Sequence, residues 1–157
     1  MVTQGRECLF GHEVKGAIRL NAYGVIVETT WQWLADQYPY LTLDEWVVMP
    51  NHLHGVLVIH DDEEKCGIGR GGSRTAPTDP VKRKPLGRLL GAFKTVSSKQ
   101  INKVRNTSGA MVWQRNYYEH IIRDEADFSR IREYIDTNPA RWDEDDENPG
   151  NMKKAPV

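Results

Sequence analysis

Residues 49–59 read Met-Pro-Asn-His-Leu-His-Gly-Val-Leu-Val-Ile, and this stretch decides how the centre of the chain folds. A turn signal, Pro50-Asn51, precedes a run of branched apolar residues, which predicts a strand over Leu53–Ile59. Alternate residues of a strand point to the same side, so His52 and His54 share one face. Two neutral imidazoles placed side by side can bind one divalent metal. Paired histidines also occur on strands without a metal, and the spacing alone leaves both interpretations open.

The sequence around this strand predicts alternating short strands and longer helices. Turn residues, caps and apolar periodicity divide the chain. The strands are predicted at Glu7–Phe10, Gly16–Leu20, Leu43–Met49 and Leu53–Ile59, with an extended segment at Met111–Ile122. The helices are predicted from an Asn21 cap to Gln37, over Leu86–Arg105, and from an Asp124 cap to Pro139. This order predicts an α+β sandwich, in which helices pack on one antiparallel sheet.

The chain of 157 residues is long enough for one domain with an ordinary core. We predict a single domain over residues 1–142, with a flexible Gly- and Pro-rich insertion at 62–85. Residues 143–157 are rich in acidic and polar side chains, which predicts a tail. The two cysteines, Cys8 and Cys66, lack metal-site spacing and read as reduced thiols.

A net charge of −1 hides an uneven distribution of charge. Residues 66–105 contain ten Lys or Arg and one acidic residue, Asp79. This polarity indicates a basic surface for a polyanion, although a solvated basic helix gives the same pattern. No apolar run approaches the roughly 20 residues of a membrane span, and no secretory signal opens the sequence. We therefore expect a cytoplasmic protein, which would associate with the nucleoid if the polyanion is DNA.

The last predicted helix offers a nucleophile and a further metal ligand. Tyr134 and Asn138 are four residues apart, so they lie on one helical face. The amide oxygen of Asn138 can bind a metal, and the hydroxyl of Tyr134 can attack phosphorus. The alternative interpretation is that Tyr134 is an ordinary, half-buried tyrosine of the helix. Tyr117 and Tyr118 are the competing candidates for the nucleophile.

Three motifs in this order resemble a known family. They are residues 49–55, the Trp-Gln-Arg-Asn-Tyr-Tyr-Glu-His-Ile-Ile-Arg of 113–123, and the Tyr-Ile-Asp-Thr-Asn-Pro of 134–139. Together they resemble the single-tyrosine HUH transposases, and within them the REP-associated tyrosine transposase branch. The resemblance runs from about Arg6 to Pro149. It implies a ferredoxin-like antiparallel sheet with helices packed on it. Members of the family usually have a strand before the segment that begins at Arg6, whereas only Met1–Gly5 precede it here. The prediction therefore includes a sheet that lacks its first strand.

The resemblance also implies an activity and the residues that perform it. The chain would be an enzyme that cuts and rejoins single-stranded DNA near hairpins through a 5′-phosphotyrosine, using magnesium or manganese. Tyr134 matches the nucleophile, His52 and His54 match the paired metal ligands, and Asn138 matches the third ligand. The alternative is an inactive or domesticated relative that binds DNA hairpins. Members of the family act as monomers or homodimers, and either state is open here.

Six further residues are candidate DNA contacts. The basic helix supplies three cations, which would bind phosphates without regard to sequence. The second motif supplies the others, among which the histidine could instead be a metal ligand or structural. The set is Arg88, Lys94, Lys99, Arg115, His120 and Arg123.

Overall fold

The computed structural model describes residues 1–60 and 83–151. Within them the chain forms two antiparallel pairs of strands and three α-helices. The order is β1 (Gly11–Val14), β2 (Ala17–Leu20), α1 (Ala22–Gln37), β3 (Leu41–Val48), β4 (Leu53–Ile59), α2 (Leu86–Val104) and α3 (Glu125–Thr137). This is an α+β architecture, consistent with the predicted ferredoxin-like fold. The predicted insertion at 62–85 lies outside the described residues as far as residue 82, as do Cys66 and residues 152–157.

The first strand of the β1–β2 hairpin lies later in the chain than predicted. Lys15 and Gly16 have φ values of 55° and 79°, the pair of positive angles that a two-residue hairpin turn needs. Such a turn fixes the register, so Val14 pairs directly with Ala17. The prediction of a strand at Glu7–Phe10 was therefore wrong, whereas the second strand was confirmed to within one residue.

The β3–β4 pair carries helices on both faces. In β4 the ideal Cβ of Gly55 would lie 2.6 Å from Trp31 of α1, while the ring of His54 contacts Tyr134 of α3. Neighbouring residues of a strand point to opposite sides, so α1 and α3 lie on opposite faces of this pair. The core fills the α1 and α2 side with Phe10, Val27, Trp31, Leu34, Leu53, Leu89, Phe93, Ile101 and Trp113. The histidines therefore face away from this core and toward α3.

The N-termini of α1 and α3 are set by side-chain caps, as predicted. The side chain of Asn21 accepts hydrogen bonds from the backbone N–H groups of Tyr23 and Gly24. Asp124 does the same for the N–H of Asp127 at 2.8 Å. An ion pair of 3.0 Å between Arg132 and Asp44 then fixes α3 against β3. Since Tyr134 lies two residues beyond Arg132, this ion pair also sets where the tyrosine meets the sheet.

The first residues of the chain pair with the residues at the start of β4. Val2 forms an antiparallel bridge with His52, and Thr3 forms one with Trp113. These are single bridges, and the predicted extended segment at Met111–Ile122 forms no strand in the described residues. The N-terminal residues thus join the histidine motif to the segment around Trp113.

None of the helices in residues 1–60 and 83–151 is long and apolar enough to cross a membrane.

Replacing Gly55 with alanine will destabilise the fold. The new Cβ would lie 2.6 Å from Cζ2 of Trp31, a ring that is only 2% exposed, and 3.1 Å from Cβ of Trp46. Overpacking of this kind costs about 1–3 kcal/mol of the free energy of unfolding. Urea denaturation followed by tryptophan fluorescence will measure the loss.

Gly91 of α2 provides the matched control. A Cβ at this position meets nothing within 4 Å. Gly91→Ala should therefore raise the free energy of unfolding by about 0.4–1 kcal/mol, because alanine restricts the unfolded chain. A Gly55→Ala protein as stable as the wild type would show that β4 and α1 are not packed as described.

Candidate metal centre and nucleophile

The two histidines of the central motif lie side by side, as their spacing predicts. Their ring centroids are 4.6 Å apart. His52 precedes β4 and is only 1% exposed, and His54 pairs with Val47 across the sheet. Burial lowers the pKa of His52 to about 2, assisted by the neighbouring His54, and burial lowers that of His54 to about 4. Both imidazoles are therefore neutral at pH 7, the form that binds a metal.

A carboxylate that the sequence did not single out completes the cluster. Asp145 Oδ2 lies 3.8 Å from His52 Nε2. One ligand atom from each of His52, His54 and Asp145 can be chosen so that all lie within 4.8 Å of one another. Asp145 belongs to the segment that the sequence assigned to the acidic tail. A carboxylate is also a better ligand than an amide for a hard divalent cation, and this preference was the signal that could have directed attention to it.

The donor atoms of the cluster fit a cation. Among the described residues, the buried atoms His52 Nε2 and Asn138 Oδ1 have no hydrogen-bond partner. Buried polar atoms are rarely left without a partner, and an ion is one reason for such an exception. Imidazole nitrogen and carboxylate oxygen are both common ligands of divalent metals. His52, His54 and Asp145 can therefore hold a divalent metal, and Asn138 lies beside them.

The structure brings Tyr134 to the same cluster. Its ring centroid lies 5.3 Å from that of His54, and its side chain is 46% exposed, so a substrate can reach it. Burial of the ring and the nearby Asp145 carboxylate raise the pKa of Tyr134, while a hydrogen bond with Asn138 acts in the opposite direction. The phenol is therefore protonated at neutral pH in the free protein.

The chain beyond α3 is folded back on the site as far as residue 151. A 3₁₀ helix at Asn138–Glu144 follows α3 directly. It buries Trp142, whose ring lies 6.0 Å from that of His52. Further along, Glu147 forms an ion pair of 2.8 Å with Arg6. These contacts hold Asp145 in place.

Three of the six candidate DNA contacts lie in one groove. It has a volume of about 940 Å³ and runs between α2 and the segment before Gln114. Lys94, Lys99 and Arg115 line it, and no acidic residue is among its described lining residues. Lys94 has a structural part, because its ammonium donates to the carbonyls of Gln114 and Arg115 at 2.9 and 3.2 Å. Lys99 and Arg115 are exposed.

The other three candidates are dispersed. His120 and Arg123 line a second groove together with three acidic residues, Glu119, Asp124 and Asp127. His120 Nε2 lies 2.6 Å from the carboxylate of Asp127. Arg88 is exposed near the start of α2 and lines neither of these grooves. Of these two grooves, the first is therefore the basic groove, since cations but no acidic residues are among its described lining residues.

Two proteins of Haemophilus influenzae are similar to this chain. The first, named "Uncharacterized protein", is 37% identical over 143 residues, which cover 90% of this chain and 78% of that protein. The second, named "Putative REP-associated tyrosine transposase", is 26% identical over 109 residues, which cover 68% of this chain and 53% of that protein. No family model matches the chain. No solved structure gives a significant match.

Proposed function

We propose that this chain, which belongs to one family with the Haemophilus influenzae protein 37% identical to it, is a transposase-like enzyme that cuts and rejoins single-stranded DNA. The distant similarity to the protein named a transposase supports this class of function. The observation that carries the proposal is the ring of Tyr134, 5.3 Å from the ring of His54. The proposed nucleophile thus lies beside side chains that can hold a metal.

The reaction proposed for Tyr134 is a phosphoryl transfer. Its oxygen attacks the scissile phosphorus, the bond to the 3′ oxygen breaks, and the DNA 5′ phosphate is left on the tyrosine. The phenol loses its proton and the leaving 3′ oxygen gains one, so the step is balanced. Attack by a 3′ hydroxyl on the phosphotyrosine reverses the step and joins the strands. The covalent link conserves the bond energy that hydrolysis would lose.

The metal expected at the site is magnesium or manganese. His52, His54 and Asp145 would hold it, with Asn138 as the fourth candidate suggested by the family resemblance. A bound divalent cation would polarise the scissile phosphate and stabilise the charge that develops on it. The described residues would orient the DNA, in that α3 would present Tyr134 to the phosphate beside the histidines that hold the metal.

The test is a covalent-adduct assay. The protein is mixed with end-labelled DNA that carries a hairpin and a single-stranded flank, with manganese, and is then run on a denaturing gel. A labelled band that migrates with the protein and disappears with EDTA is expected. Hairpin binding without an adduct in magnesium or manganese would contradict the proposal and favour a binding protein. A free 5′ phosphate without an adduct would contradict it and favour a hydrolase.

The basic groove is the proposed path of the DNA toward the site. The backbone N–H of Gln114, at one end of the groove, donates to Val2 at 2.9 Å, and Val2 bridges His52. Backbone contacts thus connect this end of the groove to the strand edge at His52. Lys99 and Arg115 are the exposed cations among the candidate contacts that line it, and we propose that they bind phosphates.

Removing either of these cations will weaken DNA binding equally for all sequences. For single-stranded DNA, each lost phosphate contact should lower the slope of log affinity against log salt by about 0.7. Fluorescence anisotropy over a range of salt concentrations will measure this for Lys99→Ala and Arg115→Ala. Arg19→Ala, an exposed cation on β2, is the control and should leave the slope unchanged. An unchanged slope in both groove variants would exclude the groove as the path of the DNA.

A further inference from the structure

Asn51 is completely buried immediately before His52, and both its amide nitrogen and its amide oxygen form hydrogen bonds. Its amide nitrogen lies 3.0 Å from the carbonyl oxygen of Arg6 and 2.7 Å from that of Glu147. Its amide oxygen lies 2.8 Å from Nδ1 of His52. Because carbonyl oxygens only accept hydrogen bonds, the two backbone contacts fix which end of the amide is the nitrogen.

This orientation of Asn51 determines the tautomer of His52. The amide oxygen of Asn51 can only accept, so Nδ1 of His52 carries the proton and donates it. The lone pair of the neutral ring is then on Nε2. This atom has no hydrogen-bond partner among the described residues, and it lies 3.8 Å from Oδ2 of Asp145. A partner on the far nitrogen of this kind orients a histidine for metal binding.

The same amide reaches the carboxylate through the backbone of one residue, Glu147. The carbonyl of Glu147 accepts from Asn51, and the N–H of Glu147 donates to Oδ1 of Asp145 at 2.7 Å. With Oδ1 engaged, Oδ2 is the carboxylate oxygen that faces His52. The network thus leaves one atom on each side, Nε2 and Oδ2, aimed at the same space.

We propose that Asn51 is a positioning residue that orients two of the three clustered candidate ligands at once, His52 through its Nδ1–H and Asp145 through the backbone of Glu147. The inference rests on the proposed function, in that it assigns Asn51 to the metal centre of that enzyme. Loss of an outer partner of a metal ligand typically costs 10–100-fold in metal affinity. Asn51 supports two ligands, so Asn51→Ala should weaken manganese binding by about 100-fold.

The experiment combines three variants with readouts that need no DNA. Nitrogen-15 NMR of histidine-labelled, metal-free protein reports which ring nitrogen of His52 is protonated, calorimetry reports manganese affinity, and thermal unfolding reports stability. In Asn51→Ala, the ring of His52 should no longer be protonated on Nδ1 alone. Asn51→Asp keeps an acceptor for Nδ1 but loses both amide donors, so it should retain a protonated Nδ1 while its melting temperature falls as far as that of Asn51→Ala.

Asn102→Ala is the matched control for the loss of a buried asparagine. Asn102 is 8% exposed and bonds to the carbonyl of Ala110 and to Arg105, away from the histidines. The Asn102→Ala substitution should lower the melting temperature and leave both the His52 signals and the manganese affinity unchanged.

Several results would overturn the proposal. One is wild-type protein with His52 protonated on Nε2, which needs no variant to observe. Another is an Asn51→Ala protein that keeps the wild-type tautomer and manganese affinity. If the wild type forms no adduct with DNA while all of these signatures hold, the proposed function fails and the role of Asn51 at the metal stands. If the adduct forms and Asn51→Ala behaves as wild type in metal and tautomer, this inference fails alone.

Discussion

Tyr134→Phe will abolish the covalent protein–DNA product while leaving the fold and DNA binding intact. The change removes only the oxygen that would attack phosphorus, and it keeps the half-exposed ring that packs against His54. Enzymes that lose a nucleophile typically lose roughly 10⁴–10⁶-fold in rate. The labelled adduct should therefore fall below detection on the denaturing gel, whereas hairpin affinity measured by anisotropy should stay within about twofold.

Tyr118→Phe and Tyr117→Phe are the controls for this result. Tyr118 is 89% exposed, and Tyr117 lies beneath the ammonium of Lys94, 5.2 Å from its ring centroid. Both variants should form the adduct as the wild type does. If Tyr134→Phe formed as much adduct as the wild type while Tyr118→Phe formed none, the nucleophile would be Tyr118, and the site built around His54 would have another purpose.

Asp145→Ala will weaken manganese binding more than Asn138→Ala does. The carboxylate is the only charged group among the three clustered ligands, and its Oδ2 faces Nε2 of His52. We expect a loss of at least about 100-fold, above the range typical for an outer partner, and about 10–100-fold for Asn138→Ala, which would act through its hydrogen bond with Asp145. Isothermal titration calorimetry with manganese will measure both.

Asp143→Ala is the matched control for the change in charge. It removes one carboxylate two residues away, at an exposed position, and should leave manganese affinity nearly unchanged. A larger loss in Asn138→Ala than in Asp145→Ala would identify the amide as the third ligand, as the family resemblance implies. In that case Asp145 would be a neighbour of the metal rather than a ligand.

The parts of the site that are close in sequence could be predicted from local rules. The period of a strand is enough to put His52 and His54 on one face, and the period of a helix is enough to align Tyr134 with Asn138. The caps at Asn21 and Asp124 could be recognised because their side chains bond to backbone only two or three residues away.

The parts that depend on distant contacts could not. Asp145 reads as one of several acids in a polar segment, and only the fold brings it to His52. Lys94 reads as one more cation of a basic helix, and its bonds to the carbonyls of Gln114 and Arg115 are visible only in three dimensions. The wrong position of β1 had a different, local cause, since the turn at Lys15-Gly16 places the first strand directly before it, at Gly11–Val14.

The bonds of Asn51 also set an order of events during synthesis and folding. They join Asn51 to residues 45 and 96 positions away in the sequence. The proposed nucleophile, Tyr134, lies on α3, near the end of the described chain. Closing such long loops is slow compared with forming the local hairpins and helices. A partly synthesised chain already holds both histidines but has neither the tyrosine nor the carboxylate. If the protein performs the proposed cleavage, that activity should therefore appear only after the segment from Tyr134 to Glu147 has emerged and docked beside the histidines.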